Sequence, residues 1–199
     1  VARAADVANG TRLFDLDLDA IRTRVEALPW VAHAQVGREW PDAVTISLQE
    51  RTPVARWGER SLLDSEGHVF TPPDGDQTYA RSNALPLLAG PEGRVDDVQL
   101  AYRQLSAKLA DGPFALDGLR LDARGEWTAH TRSGIELRLG QEDPVAQAAL
   151  INGSVARSLT PRMDAVAYVD LRYPNGYAVG WRQGGTTATA VAKSTGARK

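Results

Sequence analysis

The sequence predicts an α+β fold in two parts: a small helix–strand–strand unit, then a larger, mostly antiparallel β unit with two helices. Three observations carry this. Apolar residues step by three and four in a few stretches only, while shorter runs alternate with period two between Gly, Pro, Asn and Asp turns. Thr52-Pro53 interrupts the pattern, because proline cannot donate inside a sheet. The length of 199 residues accommodates two small domains.

The elements follow in order. Ala2, Ala4, Ala5, Val7 and Ala8 read as the end of a small-residue helix, as if the chain began inside a domain whose first strand lies upstream. Asn9-Gly10-Thr11 is a turn. Asp15 or Asp17 caps the next helix, whose stripe is Leu18, Ile21, Val25 and Leu28 and which Pro29 stops. Val31 to Val36 is β-compatible, Trp40-Pro41-Asp42 is a turn, and Val44, Ile46 and Leu48 alternate with polar neighbours as a half-buried strand. After Pro53 come strands at Val54 to Trp57, Ser61 to Asp64 and Val69-Phe70, then a polar loop over Pro72 to Arg81 and a piece at Leu85 to Leu88. Val95, Val98, Tyr102, Leu105 and Leu109 mark a second helix. Leu116 to Leu121, Trp127 to Thr131 and Ile135 to Leu139 read as antiparallel strands, the last two joined by Ser133-Gly134. Asp143-Pro144 opens a third helix with Val145, Ala149, Val155 and Leu159 inward. A hairpin ends the pattern: Val166 to Tyr173, the turn Pro174-Asn175-Gly176, and Tyr177 to Trp181. Tyr177, Val179 and Trp181 point to one side, Ala178 and Gly180 to the other. From Gln183 onward the tail lacks an apolar period and is expected to be disordered.

Composition narrows the function classes. A net charge of −2 gives no basic field for nucleic acid. The absence of cysteine removes disulfides, thiolate catalysis and cysteine zinc sites. His33, His68 and His130 fall into no metal-binding spacing, and the Gly-rich pieces form no Walker or dinucleotide fingerprint, so no cofactor and no enzymatic activity are expected. Asp64 and Glu66, the candidates for a paired-carboxylate hydrolase, lie in a turn without a visible base or nucleophile. Asp15, Asp17 and Asp19 suit a helix N-terminus rather than calcium. Trp30, Trp40 and Trp57 flank turns and read as packing anchors. No apolar run reaches the ~18 residues of a membrane helix.

What remains is the terminal hairpin. If its final strand lies at a sheet edge, its unpaired N–H and C=O groups accept another chain's strand. Beside the turn, the Arg172 guanidinium can fork onto a carboxylate and the Tyr173 phenol can anchor apolar area. Ala178, small and outward-facing, lets a partner backbone approach. Trp181 reads equally as core or interface.

Three segments resemble the FtsQ/DivIB family of cell division proteins, in its proteobacterial FtsQ branch. They are Leu28-Pro29-Trp30-Val31 with Arg38-Glu39-Trp40-Pro41-Asp42 and Glu50-Arg51-Thr52-Pro53-Val54-Ala55-Arg56-Trp57; Leu87-Leu88-Ala89-Gly90-Pro91-Glu92-Gly93; and Tyr168-Val169-Asp170-Leu171-Arg172-Tyr173 with Gly176 and Val179-Gly180-Trp181. The resemblance implies a POTRA domain of β-α-α-β-β type over 1–53, N-terminally incomplete, an FtsQ-type β domain over 54–182, and a tail over 183–199. It implies a non-enzymatic scaffold that binds the FtsB–FtsL pair and contacts FtsK, FtsW and FtsI. The expected setting is the periplasmic side of the inner membrane at the septum, as a single-pass type II protein whose membrane helix precedes residue 1. The implied FtsB surface is Arg172, Tyr173, Asn175, Gly176, Tyr177, Ala178, Val179 and Trp181, with Arg124 as a second basic contact. His33, Val36 and Arg38 match the POTRA strand that contacts FtsK. Charge reversal at Arg172, or proline at Ala178, is then expected to abolish FtsB binding with the fold intact. The competing readings are a POTRA-type outer-membrane translocation module and, behind it, a cell-wall hydrolase.

Overall fold

The computed structural model describes residues 15–174, 176–182 and 190–193, the last four for their backbone. The chain separates into two compact units. The first runs to Val54 and takes in Arg60–Arg81; the second comprises Ala55–Glu59 and Ser82 onward.

In the first unit, helix α1 (Leu18–Glu26) is followed by strands β1 (Val31–Glu39) and β2 (Ala43–Glu50), an antiparallel pair. Of the two candidate caps, Asp17 does the work: its Oδ1 accepts from the Ala20 N–H at 3.0 Å. Ile21 and Val25 on α1 close over Val31 and Ala34, with Leu16, Leu18, Leu28, Val36 and Ile46 packed around them. The 3.6-residue stripe thus meets the inward face of a two-residue period. Strand β1 extends three residues past the expected Val36, to the Trp40-Pro41 turn.

Strands β4 (Ser61–Asp64) and β5 (Val69–Phe70), placed by sequence with the second domain, form a hairpin within this first unit. Trp30 stands edge-on to Phe70, with ring centroids 5.0 Å apart, and its Nε1 donates to Asp76 Oδ2 at 2.9 Å. Asp64 sits in the hairpin turn and accepts from Arg51 Nη1 at 2.6 Å and from the Glu66 and His68 backbone N–H groups. Its carboxylate is thereby committed to structure. The polar stretch 72–81 contains a short helix, α2 (Thr78–Arg81), that the sequence did not announce; Asp76 Oδ1 accepts from the Thr78 N–H at 2.8 Å and starts it. Trp40 is 81% exposed, which corrects its reading as a packing anchor.

The second unit is a mixed sheet against helices. Its strands are β3 (Pro53–Trp57), β6 (Leu87–Ala89), β7 (Leu116–Leu121), β8 (Trp127–Thr131), β9 (Glu136–Gly140), β10 (Val166–Asp170), β11 (Gly176–Trp181) and β12 (Ala190–Lys193). From one side the order is β12-β11-β10-β9-β8-β7-β6-β3. Four of these pairings are antiparallel; β3–β6, β6–β7 and β9–β10 are parallel. Between β6 and β7, and between β9 and β10, a helical segment returns the chain in the same direction, while the β4–β5 hairpin and a short helix lie between β3 and β6.

One register row, Leu88-Leu119-Ala129-Leu137-Val169-Val179, runs across six strands and is buried throughout. Helix α3 (Val95–Leu109) buries Val98, Leu105 and Leu109 and packs on β6 and β7. The helix expected from Pro144 begins later and is broken. Ala148–Leu150 (α4) passes through a π turn, Ile151–Val155, into Ala156–Leu159 (α5). Gly153, at the middle of the π turn, is a weak helix former, and Ile151, Val155 and Leu159 still reach the core.

The expectation of a disordered tail is corrected at 190–193, where β12 pairs antiparallel with β11. An edge strand's unpaired backbone groups satisfy themselves with any segment within reach that can extend, and Ala190-Val191-Ala192 carries neither charge nor proline. Residues 183–189 and 194–199 lie outside the described residues.

Candidate functional site

The register row next to the core row lies on the opposite face of the sheet. Arg120, Thr128, Arg138, Asp170 and Ala178 are consecutive cross-strand partners. The row flanking the core row on its other side is Gly118, His130, Glu136, Tyr168 and Gly180. Period-two alternation therefore puts a charged face behind the apolar one. Arg120, Asp122, Glu126, His130, Arg138 and Arg172 line an open depression of about 400 Å³ there.

Arg172 governs this face at the end of β10. It follows Asp170 by two residues, so both side chains leave the strand on the same side. Its Nε donates to Asp170 Oδ1 at 2.9 Å and its Nη2 to Oδ2 at 2.6 Å, while Nη1 stands 3.7 Å from Glu126 Oε2. The fork is the bidentate geometry that guanidinium and carboxylate share. Burial pushes the Asp170 carboxyl up; the Arg172 side chain and backbone N–H more than offset this and hold it below the usual carboxylate range. Asp170 in turn pushes the guanidinium further up. The carboxylate expected from a partner is thus already supplied within the chain.

Beside it, Tyr168 lies over Gly180, where a Cβ would meet the ring at 2.0 Å. The Arg138 guanidinium stacks 4.0 Å from that ring and pairs with Glu136. Arg124 occupies the β7–β8 turn. Asp122 Oδ1 accepts from the Arg124 and Glu126 N–H groups, each at 2.8 Å, and Gly125 adopts φ +83°, a left-handed conformation that favours glycine. The Glu126 N–H, against some desolvation, keeps the Asp122 carboxyl low. The turn holds the Arg124 side chain in solvent, and it forms no ion pair with the described residues.

The structure separates the expected contact residues into groups. Tyr173 is 54% exposed and stands with Pro174 beside a groove of about 570 Å³ that includes Leu139, Gln147 and Leu150. Tyr177, Ala178 and Val179 are buried, which corrects the reading of Ala178 as outward-facing. Trp181 is half-buried, between the two alternatives. Gly176 starts β11, and Asn175 lies outside the described residues.

The β11 edge itself is not bare. β12 covers it with the register Gly176–Lys193, Tyr177–Ala192, Ala178–Val191 and Val179–Ala190. Ala178, paired with Asp170 on one side and Val191 on the other, is also a poor place for a harmless proline. In the first unit, Val36 packs into the core and Arg38 Nη2 donates to the Leu16 carbonyl at 2.7 Å. His33, exposed and 3.9 Å from Glu66 Oε2, lies on the other face of β1, so the three form no common surface.

Two residues passed over by sequence reading matter here. Asp170 is legible in hindsight as the acid two places before Arg172. Arg182 was given no role, since a cation just after a last strand carries no mark of its partners. Its Nε donates to the Val166 carbonyl at 3.0 Å and its Nη2 to the Ser133 and Gly134 carbonyls at 2.8 and 3.1 Å, which pins the end of β11.

Known proteins resolve the family. The model for the C-terminal domain of cell division protein FtsQ/DivIB matches residues 55–172, and that for the FtsQ-type POTRA domain matches residues 1–51. The chain belongs to the FtsQ/DivIB family. Cell division protein FtsQ of Thioalkalivibrio sp. (strain K90mix) is 38% identical over 168 residues, covering 84% of this chain and 68% of that protein. FtsQ of Methylomonas methanica is 34% identical over 169 residues, 85% and 66% of the two chains. FtsQ of Escherichia coli is 34% identical over 170 residues, 83% and 60%. The matched stretch thus spans about three fifths to two thirds of these relatives. Among the described residues, no helix is long and apolar enough to cross a membrane. In this FtsQ-family chain, the POTRA match falls on the α1–β1–β2 unit. The FtsQ/DivIB match ends at Arg172, where the charged face meets the terminal hairpin.

Proposed function

We propose that this chain is a non-catalytic scaffold of the division machinery that binds the FtsB–FtsL pair on the periplasmic side of the inner membrane. In this reading it links early and late division proteins and helps control septal wall assembly. The carrying observation is the layout at the end of the β domain: an exposed Tyr173, an exposed Arg124, and β11, whose Tyr177, Ala178 and Val179 are buried and whose outer side carries only the four-residue strand β12. Such a strand recognises a partner through backbone hydrogen bonds, and the flanking aromatic and cation add specificity. Arg172 acts in this reading as a positioning residue, shaping the face through Asp170 and Glu126. The chain also contacts FtsK, FtsW and FtsI; the FtsK-type contact falls to the POTRA unit, where His33 is the exposed candidate on β1 and Val36 and Arg38 support the fold.

The test uses two variants whose side chains carry little of the fold, Tyr173→Ala and Arg124→Glu, titrated with a purified periplasmic FtsB–FtsL fragment. Tyr173→Ala should weaken binding by about 30-fold, the loss of an aromatic hot spot. Arg124→Glu should slow association and weaken its salt dependence. Unchanged affinity in both variants would remove this surface from consideration.

A further inference from the structure

We infer that β12 is a built-in occupant of the β11 edge, so that the chain's own tail strand and an incoming partner strand exclude each other. The inference rests on the proposed reading of β11 as the partner-binding strand. Four consecutive β11 positions, Gly176 to Val179, are paired with β12, and these are the positions at which a partner strand would add. Beyond them only Gly180 and Trp181 remain without a β12 partner.

The geometry also makes β12 dispensable for holding β11. On its other side β11 pairs with β10 from Val166–Trp181 to Asp170–Ala178. Arg182 ties its end to three carbonyls, and the Arg182 N–H donates to the Ala165 carbonyl at 2.7 Å. Tyr177, Ala178 and Val179 are buried in the β domain. β12, by contrast, is four residues long and has one neighbour, at the outer end of the sheet. It can leave while β11 stays in place.

The strength of this cover follows from tethering. The connection between Arg182 and Ala190 is seven residues, 183–189. A connection of that length keeps the tail strand at about millimolar effective concentration. An isolated four-residue strand is itself expected to bind at about millimolar affinity. The edge is then covered roughly half to nine-tenths of the time, and a partner's apparent dissociation constant rises by about two- to tenfold. Sequence supports an exchangeable cover, since Ala190-Val191-Ala192, three of its four residues, offer backbone and little else.

The experiment compares three proteins: the full chain, its Ala192→Pro variant, and a chain ending at Arg182. The Arg182 N–H bonds back to Ala165, so Ala178 and Gly180 turn their backbone groups to β10 and Tyr177 and Val179 turn theirs to β12; proline at 192, opposite Tyr177, removes a donor to β11 and leaves the tail's length and charge alone. Each is titrated with a purified periplasmic FtsB fragment from the same genome, and hydrogen exchange of the β11 amides is followed alongside. Both altered proteins should bind the fragment at least twofold more tightly than the full chain, and the β11 amides that do not bond to β10 should exchange faster. Equal affinity in all three overturns the inference and leaves the proposed surface standing. Failure of the fragment to bind any of the three sinks the proposed surface itself, and the inference with it.

Discussion

Removing the Arg172 side chain should destabilise the β domain, and the size of the effect can be worked from the fork it makes. The Asp170 side chain is 6% exposed and that of Arg172 is 43% exposed. Arg172→Ala leaves a buried carboxylate without its bonds of 2.9 and 2.6 Å. Breaking a fully buried pair costs about 3–5 kcal/mol. An exposed pair contributes only about 0.2–1 kcal/mol. Here one partner is buried and the other is bathed by solvent. The Arg172 backbone N–H survives the substitution and still donates to Asp170, and Arg138 remains across the strand. The expected loss is therefore about 2 kcal/mol, between those limits.

Asp170→Asn, which keeps an oxygen acceptor and removes the charge, should cost about 1 kcal/mol, and the double variant should cost about 1 kcal/mol less than the sum of the two. Urea unfolding followed by tryptophan fluorescence measures all four proteins; with a slope of about 2 kcal/mol per molar, Arg172→Ala should lower the midpoint by about 1 M. A shift under about 0.2 M, or a double variant additive to within about 0.3 kcal/mol, would refute the reasoning. Charge reversal at Arg172, expected from sequence to be a clean binding variant, therefore needs a stability control. Any loss of binding it shows includes distortion of this face.

Acid should destabilise the protein through the same group and its counterpart in the first unit. The Asp170 and Asp64 carboxyls are both held low in the fold: burial raises each, but Arg172 in one case and His68 and Arg51 in the other outweigh it. A depressed folded value gives stability that is present above the ordinary carboxylate range near pH ~4 and lost as pH falls through the folded values. Unfolding midpoints should be flat from about pH 7 to 5 and drop below about pH 4; a rise on acidification would contradict the assignment. Gly180→Ala should cost about 1–3 kcal/mol, because its new methyl displaces the Tyr168 ring from the Arg138 stack, and a melting temperature equal to that of the parent chain would show the ring has free space. Trp40→Ala should leave stability within about 0.5 kcal/mol, since this side chain is 81% exposed; a larger loss on urea unfolding would mean Trp40 packs after all.

Much of the chain was legible because single elements carry their own periodicity. The α1 stripe of Leu18, Ile21 and Val25, the alternation at Val44, Ile46 and Leu48, and the three runs that became β7, β8 and β9 each state their inward face within ten residues. Local chemistry also placed the turn at Ser133-Gly134, where short polar side chains and a glycine with positive φ suit a tight reversal. Short helices escaped for a complementary reason. Thr78–Arg81 has no room for a period, and the break at Ile151–Val155 costs too little in the helix pattern to be seen. Trp40 misled because an aromatic residue beside a turn carries no mark of which side of the sheet it takes.

The proposed partner-binding region divides along the same line. Arg172, Tyr173 and the last strands stood out as candidates from their residue types and from the family resemblance. Which of them face outward could not be read that way. A guanidinium's partner is decided by what the fold brings within about 3 Å. Here that partner is Asp170, which turns Arg172 inward to shape the face and leaves Tyr173 and Arg124 to meet solvent. The sequence by itself determined the family, the two-part α+β organisation and the strand at which the pattern ends, because those depend on local propensity and linear order. Only the tertiary structure decided the sheet order, the buried state of Tyr177 to Val179 and the covering of β11 by β12. Those are pairings between segments whose hydrogen-bonding groups are alike in every residue, so no side chain records in advance which backbone will meet which.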